Sequence, residues 1–127
     1  MAYWHGNEII YPTVEDIITT NKRILNYKKI TKAEGHKLLC SRAILSNIII
    51  EVKKFEGDIK HKAALLLLRI NQSHCFASAN KRTSLAIAYE FMATNNIVPT
   101  VRNESDSIFL LEVREGKHTI EEIARWL

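Results

Sequence analysis

KHKAALLLLRINQSHCFASANKRT, residues 60 to 83, decides how this chain reads. After one basic turn the stretch is nearly apolar all round as far as Ile70, which suits a helix enclosed by other helices. Polar chemistry follows at once. Between His74 and Thr83 stand an imidazole, an amide, a lysine and an arginine. The spacing predicts a central helix over about 59–70, an interruption at Asn71–Ser78, and a new helix from about Ala79 with Leu85, Ala88, Phe91 and Met92 on one face. Asn95-Asn96 ends that helix and Pro99 keeps it ended.

Upstream, Thr13 reads as an N-cap, with Glu15 and Asp16 in a first turn that favours negative charge. Val14, Ile17, Ile18, Ile24 and Leu25 then follow at helical spacing. A longer helix is expected from about Thr31 to Phe55, its buried stripe marked by Leu38, Leu45, Ile49 and Val52 and widened by Ile48 and Ile50. Glu56-Gly57-Asp58 stops it and caps the central helix. His61, between Lys60 and Lys62 at that helix start, reads as solvated. Ala2–Trp4 and Glu8–Tyr11 around His5-Gly6-Asn7 have the layout of a short N-terminal β-hairpin. Downstream, Ser107–Arg114 reads as a short helix closed by Gly116. Thr119-Ile120-Glu121-Glu122 has capping-box spacing and opens the last helix, which ends in Trp126-Leu127. The expected architecture is all-α: one compact domain of six helices spanning residues 1–127, with that small hairpin at its start.

A chain of 127 residues is long enough to bury a real core. Formal charge is +4 with an isoelectric point near 9.1, compatible with an anionic partner. No nucleic-acid recognition motif accompanies that charge, so no specific nucleic-acid partner is expected. The N-terminal residues lack the basic-then-apolar order of a signal peptide, and the longest apolar run, AALLLL at 63–68, is far too short to span a bilayer. No membrane association and a cytoplasmic location are the expectations. Cys40 and Cys75, with no CxxC pair, read as free thiols.

Residues 74–83 lead into a helix start, where the first backbone amides lack internal partners and attract anions. Asn80 adds a side-chain donor, Lys81 and Arg82 add positive charge, and a guanidinium can hold two phosphate oxygens at once. His74, just upstream, is placed to accept a proton. Donors, cations and a base around one loop suit phosphate-group chemistry, where positioning and charge neutralisation supply most of the catalysis. Phe76 and Ala79 read as packing residues that shape the loop.

The order of these residues resembles the Fic/Doc signature, His-x-Phe-x-(Asp/Glu)-(Gly/Ala)-Asn-(Gly/Lys)-Arg. His74, Phe76, Ala79, Asn80, Lys81 and Arg82 match it in register. Ala-Asn-Lys-Arg-Thr is similar to the death-on-curing (Doc) toxin branch rather than to the AMP-transferring enzymes, which carry Gly-Asn-Gly-Arg. The resemblance implies transfer of part of a nucleoside triphosphate, ATP, to a protein hydroxyl. His74 would be the general base, while Ala79, Asn80, Lys81 and Arg82 would seat the phosphates. Lys81 in place of glycine implies phosphoryl transfer to a Ser or Thr hydroxyl, with elongation factor Tu as the substrate class. Transfer of AMP, or a silent fold that only binds nucleotide or partner, are the alternatives. Some relatives carry an inhibitory (Ser/Thr)-x-x-x-Glu-(Gly/Asn) helix. Here Ile30, Val52 and Leu111 precede the Glu-Gly pairs by four, so an antitoxin acting in trans is the implied partner.

Position 78 departs from the pattern. The family acid there holds Mg²⁺, and this chain has Ser78. One unit charge lost about 4 Å from the metal removes roughly 4 kcal/mol of attraction per unit charge at an effective dielectric near 20, before solvation offsets part of it. A hydroxyl can still ligate Mg²⁺ weakly. The site is weakened but working, borrows a carboxylate from elsewhere, or only binds.

Overall fold

A computed structural model describes residues 8–28, 37–100 and 107–127. Six helices lie within them: α1 (Val14–Lys28), α2 (Arg42–Lys54), α3 (Ile59–Ser73), α4 (Asn80–Thr94), α5 (Ser107–Arg114) and α6 (Ile120–Trp126). The expected all-α, six-helix architecture is what the chain adopts. Helix α3 is the axis, packed against α2, α4, α5 and α6, while α1 covers α4 and α2. Its residues Ala63 to Leu68 and Ile70 are all buried, as an all-round apolar helix requires.

Local signals set the ends. Thr13 Oγ1 accepts from the Asp16 amide at 3.1 Å and Asp16 Oδ2 accepts from the Thr13 amide at 2.8 Å, a reciprocal cap on α1. Thr119 and Glu122 do the same for α6, and the Thr119 amide is the main reason the Glu122 carboxyl sits below its ordinary pKa. Asn95 and Asn96 end α4, Asn96 in the left-handed region at φ 68°. Gly116, at φ 79°, follows α5 in the same conformation, where a side chain would be strained.

Several expectations change. Helix α2 begins at Arg42, because residues 37–39 run beside residues 75–77: Leu38 and Phe76 form an antiparallel bridge and the Leu39 amide donates to Cys75 at 2.7 Å. The expected helical start between Thr31 and residue 36 lies outside the described residues. Ile50 is 45% exposed, so the buried stripe of α2 is Leu45, Ile48, Ile49 and Val52. Helix α3 runs on through Asn71–Ser73, held by Asn71 bonding to the Leu110 carbonyl at 2.9 Å and by Ser73 bonding back to Ile70. The first arm and turn of the N-terminal hairpin lie outside the described residues. Its second arm, Glu8–Tyr11, is not a strand; Ile10 instead gives its amide and carbonyl to the Asn95 side chain, both at 2.9 Å.

The start of α3 is more engaged than a solvated turn. Lys62 is only 5% exposed, and its ammonium donates to the carbonyls of Val52, Lys53 and Phe55 at 2.9, 3.3 and 2.6 Å, closing the C-terminus of α2. His61 bridges Asp58, its Nδ1 2.7 Å from Oδ1, and Glu121 on α6. The Asp58 and then the Glu121 hydrogen bonds hold the His61 pKa above its ordinary 6.5, and the His61 side chain and then its amide hold the Asp58 carboxyl below its ordinary 3.8. A raised histidine stabilises the fold fully below pH 6.5 and loses that contribution as pH climbs through the folded value. A lowered carboxyl stabilises it above 3.8 and loses that contribution as pH falls through the folded value. The melting temperature of wild type should therefore exceed that of His61→Gln most between pH 3.8 and 6.5, with the gap closing in alkaline buffer. A gap that stays constant with pH contradicts this linkage.

Candidate active site

Two left-handed residues bracket the loop between α3 and α4. His74 ends α3 at φ 51°, ψ 44°, and Ala79 precedes α4 at φ 65°, ψ 29°. Each non-glycine residue in this region costs about 1 kcal/mol or more, so the surroundings must enforce it. Asn80 does so from inside: its Oδ1 accepts from the Phe76 amide at 3.0 Å while its Nδ2 donates to the Phe76 carbonyl at 2.7 Å. From below, Asn21 on α1 donates to the Ser78 carbonyl at 2.9 Å and to Thr83 Oγ1 at 3.0 Å. Asn80 is 6% exposed and Asn21 fully buried, so these bonds form away from water.

The loop is also tied outward. Cys75 is bonded to Cys40 in a disulfide that closes 35 positions of sequence, correcting the expectation of free thiols. Its cause is the refolded start of α2. Once residues 37–41 run beside 75–77 instead of within a helix, the two Cα atoms lie 4.9 Å apart. Cys75 and Phe76 are fully buried, and His74 between them and the helix end is exposed.

The result is a cleft of about 460 Å³, a usual size for a small-ligand site. His74, Ser78, Ala79, Asn80, Lys81 and Arg82 all line it, so the residues singled out in the sequence share one surface. Ala79 provides no side-chain cap, which leaves the opening amides of α4 without that partner. Asn80 spends its amide on Phe76, which makes it chiefly a brace for the loop. The far wall is α5, with Ser107, Leu110 and Arg114. These three fall on one helical face by their spacing of three and four. Sequence reasoning missed Arg114, which as the last residue of α5 reads as an ordinary cation at a helix end. It also missed Asn21, which carries no local signal at all.

No carboxylate lines the cleft among the described residues, and no group of three or more His, Cys, Asp or Glu converges on a metal position among them. Mg²⁺ is held through one or two carboxylates plus phosphate oxygens. Ser78 and Ser107 offer hydroxyls alone, so this donor set does not fit a protein-held magnesium ion.

An all-α domain with an imidazole at the edge of a cationic cleft, built on an open helix start, is equipped to hold a phosphate chain beside a proton acceptor. The model of the Fic/DOC family matches residues 11–92, from just before α1 into the last turn of α4. The chain belongs to the Fic/DOC family, whose members transfer nucleotide-derived groups to proteins. No curated protein matches it. Among the described residues no helix is long and apolar enough to cross a membrane.

Two outcomes follow for the loop. Asn80→Ala removes both side-chain bonds to the buried Phe76 backbone and should lower unfolding free energy by about 2–4 kcal/mol, measured by urea denaturation. Dithiothreitol should lower the stability of wild type by about 2–4 kcal/mol and leave the Cys40→Ala/Cys75→Ala protein unchanged. Equal response of both proteins would show that the bridge does not form.

Proposed function

We propose that this protein transfers the terminal phosphoryl group of ATP to a Ser or Thr hydroxyl of a partner protein. The observation that carries the reading is His74: the turn at the end of α3 leaves its imidazole exposed at the edge of the cleft, while Lys81, Arg82 and the start of α4 line that same cleft. His74 takes the proton from the acceptor hydroxyl. The freed oxygen bonds to the γ-phosphorus, the bond from that phosphorus to the β,γ-bridging oxygen breaks, and ADP leaves. Lys81 and Arg82 offset the charge carried by the phosphate oxygens in the transition state. Asn21 and Asn80 act earlier, by holding the loop that aims these groups.

Lys81 supports phosphoryl over AMP transfer, since it stands where AMP-transferring relatives carry glycine. Elongation factor Tu is the substrate class this reading favours, with an antitoxin as the inhibitory partner and the cytoplasm as the setting. The Cys40–Cys75 bridge adds a condition, because a reducing cytosol opens such bonds. Ser78, with no carboxylate beside it, favours one second reading: a fold that binds nucleotide and transfers nothing.

The test is incubation of the full chain with bacterial lysate and ATP labelled at either the α or the γ position, with and without dithiothreitol. Label should pass to protein from the γ position and fall by about 10²-fold or more in His74→Ala. Label from the α position selects AMP transfer. ATP binding with no label from either position selects the silent module, and label indifferent to His74→Ala removes the assigned base.

A further inference from the structure

The described arginines of this chain fall into two sets. Arg23, Arg42, Arg69 and Arg125 each face a carboxylate: Glu90 at 3.1 Å, Glu15, Glu51 at 3.0 Å and Glu121 at 4.0 Å. Among the described residues Arg82 and Arg114 do not, and both line the cleft together with Lys81. Three cations therefore share one concave surface with no acid among its described lining residues. Their mutual repulsion raises the energy of the empty site, and a bound polyanion relieves it. The other described arginines each have an acid partner, whereas Arg82 and Arg114 lie where a phosphate chain would sit.

We infer that this cleft holds the triphosphate without a divalent cation, with Arg114 of α5 as the arm that completes the charge. The inference rests on the reading that the cleft seats a nucleoside triphosphate. Lys81, Arg82 and Arg114 bring three fixed positive charges, against the two of a magnesium ion, and the carboxylate such an ion needs is missing at Ser78. Arg114 is placed by packing rather than by chance of a flexible end. Leu110, one turn before it, is 5% exposed and its carbonyl is gripped by Asn71 of α3, while Val113 is fully buried. This wall lies outside residues 11–92, the span matched by the family model. A metal ion that masks the phosphate oxygens competes with the three side chains instead of assisting them.

The experiment is isothermal titration of ATP into the full chain, in EDTA and again in millimolar Mg²⁺. Affinity in EDTA should equal or exceed that in Mg²⁺. Arg114→Gln should weaken binding in EDTA by about tenfold or more. Arg125→Gln removes the same charge away from the cleft and should leave affinity unchanged. Ser78→Asp, which supplies the missing carboxylate, should weaken binding in EDTA and make Mg²⁺ strengthen it. Melting temperatures confirm that each variant is folded. Wild-type binding that is tenfold tighter in Mg²⁺, or an Arg114→Gln protein that binds as wild type does, overturns this inference while leaving the nucleotide reading intact. Absence of ATP binding in both buffers overturns the nucleotide reading itself.

Discussion

A side-chain amide closing on one backbone unit holds this site together. Asn80 gives an acceptor to the Phe76 amide and a donor to its carbonyl, as a paired strand would, but from a single residue four positions along. Those two bonds fold the loop back on itself. Phe76 turns inward to full burial, Cys75 reaches Cys40, and the chain is forced through left-handed turns at His74 and Ala79. Without that closure the strained residues would relax, and the imidazole would lose its fixed relation to the start of α4. Asn21 adds a second grip from a different helix, so the loop is set by tertiary contacts and not by its own preferences.

The loop can be held this firmly because the helix that delivers it is packed on several sides. Helix α3 is enclosed by four others, and its first turn is anchored in two directions. Lys62 illustrates the economy of this arrangement. Its apolar stem lies in the core while its ammonium satisfies carbonyls at the end of α2, which would otherwise require water. Tyr11 adds its ring face 5.5 Å from the same nitrogen. A rigid axis with a braced loop at one end is a sound base for chemistry that depends on placement.

Much of this was legible in the order of residues. The caps that open α1 and α6 and the Asn95-Asn96 stop that closes α4 were legible, because capping acts within four residues. The chemistry-bearing loop was legible for the same reason: its residues are contiguous. What could not be read was non-local. Residues 37–41 look helical by periodicity, yet their backbone is claimed by residues 75–77, and the same pairing brings Cys40 to Cys75. Ile50 fits an apolar stripe but no neighbour covers it. Arg114 became part of the cleft only once α5 was docked on α3 through Asn71. His61 and Lys62 sit in a charged run that periodicity assigns to solvent, and only the placement of α2 and α6 reveals their partners.

The clasp between Ile10 and Asn95 ties the segment ahead of α1 to the far end of α4. Asn95 ends α4 and the reactive loop precedes it, so the clasp and the loop are separated by a helix of 15 residues, about 22 Å. A fluorophore carried at the C-terminal end of α4 would therefore stand a full helix length from a docked substrate.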